Sequence, residues 1–411
     1  MVERSAARAV EEALQDTPVV LIHGPRQAGK STLAQAAAKS HFGGNYVTLD
    51  DPLILEEART NPSSFIKGKN PPLVIDEVQR APELFLAIKL FIDRNRKPGQ
   101  FLLTGSANVL VLPKVADSLA GRMEPIDLLP FSQAELEGAE SNFTDAVFNK
   151  DLPKYGGQAS SREDLIQRMV KGGFPEPVSR ASEARREAWF QSYVRTVLDR
   201  DVRDLSNVTG LTQMPRLLSL LSVRSGSTLN VASLSIDTGV PHTTLTRYID
   251  LFKALFLVHL VPAWSSSVET RLAKSSKAFL VDTGLLCYLT GMDAKGLATD
   301  PLRYEPALKT FVANELQKLS SAGQIKPWLF HLRTVKQKQV DFVLEARDGR
   351  IVGVDVVPGR AVANEDFEGL RFLADLTGDR FQRGVILYDG DEVVQISPDL
   401  VALPISALWT P

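Results

Sequence analysis

The chain alternates short apolar runs with longer amphipathic stretches. PVVLI at 18–22, YVTLD at 46–50, PLVID at 72–76 and QFLLTG at 100–105 each hold an apolar core only a few residues long, and RMEPIDLLP, from 122, closes the series. Between them lie segments with helical composition and spacing: residues 5–16, STLAQAAAK at 31–39, and ELFLAIKLFIDRN at 83–95. Strands that are apolar throughout, alternating with helices, predict a parallel sheet covered on both faces. The polar stretch 137–162 interrupts this pattern and marks a domain edge, so a first α/β domain is expected over 1–140.

The pattern then turns helical. Residues 163–205, clearest in REAWFQSYVRTVLDRDVRDL, and residues 211–256, which run into LFLVHLVPAW, read as two helical units. Residues 265–277 form a hydrophilic link. From 303 a long helix, EPALKTFVANELQKL, precedes strands near 328–333, 340–345, 351–357 and 384–388, the signature of a separate α/β domain. The expected boundaries are 1–140, 141–210, 211–265 and 266–411, and no internal repeat is present.

Composition narrows the class. With 411 residues the chain exceeds one ordinary core, and 44% apolar with 23% charged residues is the balance of a folded globular protein. A net charge of -2 excludes a uniformly basic protein but leaves room for a local basic face. The single cysteine, Cys287, excludes an intrachain disulfide and a cysteine-based zinc site. No signal-peptide core opens the sequence and no apolar run is long enough to span a bilayer, so no membrane partner is expected and the cytoplasm is the default location.

The chemistry-bearing motif follows the first strand. Gly24, Pro25, Arg26, Gln27, Ala28, Gly29, Lys30 and Ser31 fit G-x-x-x-x-G-K-[ST], with Thr32 next, between a strand and a helix. Backbone N–H groups and the positive helix end suit a phosphate chain there, Lys30 the β- and γ-phosphates, and the Ser31 hydroxyl a Mg²⁺ ion. ATP and Mg²⁺ are therefore the expected cofactors. Asp76 ends the strand PLVID, where a magnesium-associated carboxylate belongs, and Glu77 beside it is placed to polarise an attacking water. That Asp-Glu pair favours an ATPase over a small-molecule kinase. In FLLTGSAN, Ser106 or Asn108 is a candidate to touch the γ-phosphate or the water. Arg122 is a candidate to stabilise charge on the transferring phosphoryl, with Arg195, Arg200 and Arg203 as rivals.

GPRQAGKSTL, LDDP, LVIDEVQRAPELF, FLLTGSAN, SLAGR and LLPFSQAEL together resemble a large bacterial and archaeal group of AAA-like P-loop ATPases whose C-terminal domain is of unknown function. The resemblance continues through GGFPEPV, RDVRDL, KAFLVDTGLL and VDFVLE, nearly the whole chain. It implies that an arginine at the place of Arg122 acts in trans on a neighbouring subunit, and hence a homo-oligomeric active form.

Residues 211–265 resemble a winged helix. In NVASLSIDTGVPHTTLTRYIDLFKAL, Leu245, Ile249, Phe252 and Phe256 form an apolar stripe, while His242, Thr243, Thr246, Arg247 and Lys253 are left for DNA and Asp250 opposes it. Residues 266–411 resemble a restriction-endonuclease-like, PD-(D/E)xK domain in which Glu315, Asp341 and Asp355 would share a second metal. Where that motif places a lysine, this chain has Val357, with Lys336 and Lys338 as substitutes, so efficient nuclease activity is not expected. The leading expectation is an ATP-driven switch or motor engaging nucleic acid. The alternative is a signalling ATPase that binds a protein partner through the same C-terminal regions.

Overall fold

A computed structural model describes residues 2–106, 119–139, 142–149, 160–205, 211–334 and 338–410. The expected parallel sheet is present: β1 (Val19–His23), β2 (Tyr46–Thr48), β3 (Leu73–Asp76), β4 (Phe101–Gly105) and β5 (Met123–Asp127) lie in the order β2-β3-β4-β1-β5. All four pairings are parallel. Side chains alternate across a strand, and the apolar residues divide accordingly. Val19, Leu21, Leu73, Ile75, Phe101 and Leu103 pack on one face with helix Glu83–Arg94. Val20, Ile22, Val74 and Leu102 pack on the other with helices Ser5–Leu14 and Lys30–His41. Two such covered faces leave the ends of the strands as the natural place for a ligand.

The middle of the chain is helical, as its pattern predicts. Helices Arg162–Lys171 and Glu183–Thr196 come first, and the second continues into a π-helical turn, Val197–Asp201. Helices Met214–Val223, Val231–Thr238 and His242–Ala254 follow, then the antiparallel pair β6 (Val258–Val261) and β7 (Lys277–Leu280). The hydrophilic stretch 265–277 is thus not a link between domains. It is the excursion between two paired strands, and it carries a short helix, Val268–Ala273.

The C-terminal sheet has six strands in the order β12-β13-β11-β10-β9-β8, namely Val394–Ser397, Leu400–Pro404, Phe381–Tyr388, Ile351–Val357, Gln339–Glu345 and Trp328–Arg333. It mixes parallel and antiparallel pairs. One face packs on helix Glu368–Thr377. The other joins the long helix Pro301–Ala322 and the middle helices in a single core, so the middle and the C-terminal sheet are not independently packed. No described helix is long and apolar enough to cross a membrane.

Candidate nucleotide site

The loop between β1 and helix Lys30–His41 is shaped by two glycines. A Cβ on Gly24 would lie 2.1 Å from the Leu128 carbonyl oxygen, so only glycine lets the loop pass there. Gly29, at φ 101, is the residue before the helix. That helix starts without a side-chain cap, and the N–H groups of its first turn lack intrahelical partners. An anion is the fitting partner for such an end. The Lys30 ammonium donates to the carbonyls of Gly24 at 3.1 Å and Pro25 at 2.8 Å. Burial lowers its pKa to about 8, against the opposing pull of Glu77 and Asp76.

Strands β3 and β4 bring the remaining groups alongside. Asp76 is 3% exposed and accepts three side-chain hydrogen bonds: from Ser31 Oγ at 3.0 Å, Thr104 Oγ1 at 2.5 Å and Tyr46 OH at 2.8 Å. Burial, and after it the Asp76 carboxylate, push the Tyr46 hydroxyl up to about 12 despite its bond to Gln35, so it remains a donor. The hydroxyl of Ser31 and the carboxylate of Asp76 are adjacent hard oxygen donors, a set that fits Mg²⁺. Glu77 follows at φ 58, a strained conformation for a non-glycine residue, with its N–H on Thr104 Oγ1 at 3.0 Å. Ser106, buried at the end of β4, accepts from Gln79 Nε2 at 2.8 Å. Asn108 lies outside the described residues.

Contacts from this loop and from the end of β1 join them to the middle of the chain. Arg26 pairs with Asp201 at 2.9 Å, and Asp201 stands in the π-helical turn. His23 pairs with Asp127 at 3.0 Å and meets the ring of Phe256 edge-on, with centroids 5.5 Å apart. Phe256, expected on the buried stripe of helix His242–Ala254, instead follows that helix at φ 55; Tyr248 takes the buried place beside Leu245, Ile249 and Phe252.

Arg122 is not part of its own chain's site. It immediately precedes Met123, which pairs with Val19 at the start of β1, whereas the phosphate loop leaves the other end of that strand. Five residues of strand, about 16 Å, lie between. Its guanidinium donates to Asp93 at 2.7 Å. Among the rivals, Arg195 pairs with Asp199 at 3.6 Å, and Arg200 and Arg203 are exposed.

The three carboxylates of the expected second metal site do not converge. Glu315 is buried and accepts from the Gln133 N–H at 2.7 Å and from Lys318 at 2.9 Å, fastening the long helix to the segment after β5. Asp341 and Asp355 are neighbours, with the Asp341 N–H donating to Asp355 Oδ1 at 2.7 Å. Lys277 and Lys309 each reach Asp341 at 3.2 Å. Burial alone would raise the Asp341 pKa, but these two ammoniums outweigh it and hold it low. Burial and then the charge of Asp341 raise that of Asp355. No group of three or more metal-ligating side chains occurs among the described residues. Two lysines already supply the positive charge a metal would bring. Lys338 pairs with Glu368, and Lys336 lies outside the described residues.

On helix His242–Ala254, His242, Thr243, Thr246, Arg247 and Lys253 are exposed, as is Asp250, which pairs with Lys253 at 3.1 Å.

Sequence reasoning missed Tyr46, Thr104, Gln79, Lys277 and Lys309. Only Thr104 and Gln79 carried a signal, as polar residues at a strand end and two positions past Glu77.

Comparison with known proteins matches three stretches of this chain to domain families. Residues 16–137 match the AAA domain family, residues 162–296 a Domain of unknown function (DUF8612) and residues 305–408 a Domain of unknown function (DUF4143). An uncharacterized protein of Mycobacterium tuberculosis is 28% identical over 410 residues, covering 99% of this chain and 84% of that protein. One from Methanocaldococcus jannaschii is 21% identical over 415 residues, covering 95% and 87%. The RuvB Holliday junction branch migration motor of Thermotoga maritima overlaps 66% of this chain and 95% of its own at 17% identity. Its TM-score of 0.31 is too low to bear on function. The AAA match and the loop geometry agree: the N-terminal parallel sheet is a P-loop NTPase-like domain, and a helical middle and a mixed C-terminal sheet follow it.

Proposed function

We propose that this protein is a Mg²⁺-dependent ATPase that acts as a conformational switch or motor on nucleic acid. The observation that carries the reading is the meeting of Lys30, Ser31, Asp76, Thr104 and Glu77 at one end of β1, β3 and β4. Lys30, freed from the loop carbonyls, neutralises the β- and γ-phosphates. Ser31 and Asp76 hold the Mg²⁺, which offsets phosphate charge when bound. Glu77 takes a proton from the attacking water, Ser106 is assigned to the γ-phosphate or that water, and Arg122 reaches the nucleotide of a neighbouring copy in a homo-oligomer.

The Arg26–Asp201 pair and the His23–Phe256 contact at the end of β1 support a coupled cycle, because nucleotide binding in the adjoining loop acts on both links to the middle of the chain. Nucleic acid is assigned to the exposed face of helix His242–Ala254, with Arg247 and the N-terminal His242 and Thr243 toward a groove. The Asp250–Lys253 pair favours a second reading, a signalling ATPase with a protein partner, since Asp250 repels phosphate and neutralises the nearest lysine.

ATP turnover measured with and without duplex and single-stranded DNA separates the two. Stimulation that falls steeply with added salt supports nucleic acid; turnover indifferent to DNA at every salt concentration moves the assignment to a protein.

A further inference from the structure

The contacts around Glu77 include one side chain with no role in the scheme above. Gln79 stands on the short turn Val78–Arg80, two residues past Glu77. Its amide nitrogen donates to Glu77 Oε2 and, at 2.8 Å, to Ser106 Oγ. Chemistry fixes this orientation, because an ionised carboxylate only accepts and the amide must therefore turn its N–H₂ toward Glu77. The amide oxygen then faces away. It is buried and finds no donor among the described residues. A lone buried acceptor is unfavourable, and native structures keep few of them.

The surroundings hold the side chain there. Arg80 on the same turn pairs with Asp50 at 2.6 Å, and Arg59 donates twice to the Arg80 carbonyl. The Glu77 backbone is fixed from the other side by Thr104. Gln79 therefore sits on a braced turn, with one end of its amide on the catalytic carboxylate and the other end an unused acceptor.

We propose that Gln79 is a positioning residue for ATP hydrolysis: its amide N–H₂ aims the Glu77 carboxylate and links it to Ser106. This rests on the ATPase reading above. In hydrolysis the water oxygen bonds to the γ-phosphorus as the bond from that phosphorus to the β,γ-bridging oxygen breaks. One water proton passes to Glu77, and the products are ADP and inorganic phosphate. With its carboxylate held in place, Glu77 orients the water that donates to it toward phosphorus, an effect that raises turnover without adding affinity for ATP.

The test uses the full chain and Gln79→Leu, which keeps much of the volume and removes both hydrogen-bonding ends. Turnover should fall about tenfold or more, while equilibrium ATP affinity stays within about threefold of the parent's. Combining it with Glu77→Gln should cost nothing beyond Glu77→Gln alone, because Gln79 acts through that carboxylate. Independently of activity, the Gln79 side-chain amide resonances, assigned by their loss in Gln79→Leu, should shift in Glu77→Ala. Unchanged turnover overturns the proposal. So does faster turnover, which would make Gln79 a restraint on Glu77, and so does a matching loss of ATP affinity, which would make it a structural support of the loop. If the parent neither binds nor hydrolyses ATP, the ATPase reading itself has failed and the proposal falls with it. The parent alone tells that failure from the others.

Discussion

At the scale of single residues, Glu77 is held in a backbone conformation that ordinary residues avoid, with its N–H and its carboxylate both engaged. Glu77→Gln keeps the shape and removes the base. Binding of Mg²⁺·ATP should persist while turnover falls roughly a hundredfold or more, measured by phosphate release beside equilibrium binding; undiminished release would move the catalytic role elsewhere. His331 makes a second prediction, about stability. Burial, then the nearby Lys277, lowers its pKa from 6.5 to about 4. Between those values the unfolded chain binds a proton that the folded one refuses, so this stability is complete above pH 6.5 and is lost as pH falls toward 4. In thermal unfolding across that window, His331→Gln should show a shallower fall in Tm than the parent; equal slopes would contradict it. Residues of the phosphate motif were legible because their spacing is local. Tyr46 and Thr104 on Asp76, or Lys277 and Lys309 on Asp341, were not, since only the pairing of distant strands brings them together.

At the scale of elements, the five runs became the five parallel strands: β1, β3 and β4, buried on both faces, need no alternation to be recognised, and the partly exposed edge strands β2 and β5 flank them. The excursion 265–277 was misread for the opposite reason: its polar residues hide that Lys277 begins a strand paired with β6. Strands β12 and β13 went unread as well. The carboxylate pair of the C-terminal sheet fits no expected metal set, and a divalent ion would have to displace two ammoniums from Asp341. Purified protein with Mg²⁺ or Mn²⁺ should therefore leave plasmid DNA and RNA intact over hours. Robust cleavage that disappears in Asp341→Ala would contradict this; cleavage that survives that change would come from a contaminant.

At the scale of the whole molecule, one core runs from the middle helices through the long helix to the C-terminal sheet, and the phosphate loop and the end of β1 touch its edge through Arg26 and His23. Arg122 lies at the far end of the sheet from its own loop, so the proposed role for it requires a neighbour's site. Mixing Arg122→Ala with Lys30→Ala should then restore part of the turnover that each variant lacks, since one interface in the mixture pairs an intact loop with an intact arginine. Activity no greater than the sum of the two, or a protein that stays monomeric with ATP, would rule this out. Everything above depends on the loop holding ATP, and the most direct measurement is the equilibrium affinity of parent and Lys30→Ala for Mg²⁺·ATP. Loss of a charge-assisted contact to phosphate predicts a drop of roughly tenfold to a hundredfold or more. A Lys30→Ala protein that binds ATP as tightly as the parent would contradict the account at its centre.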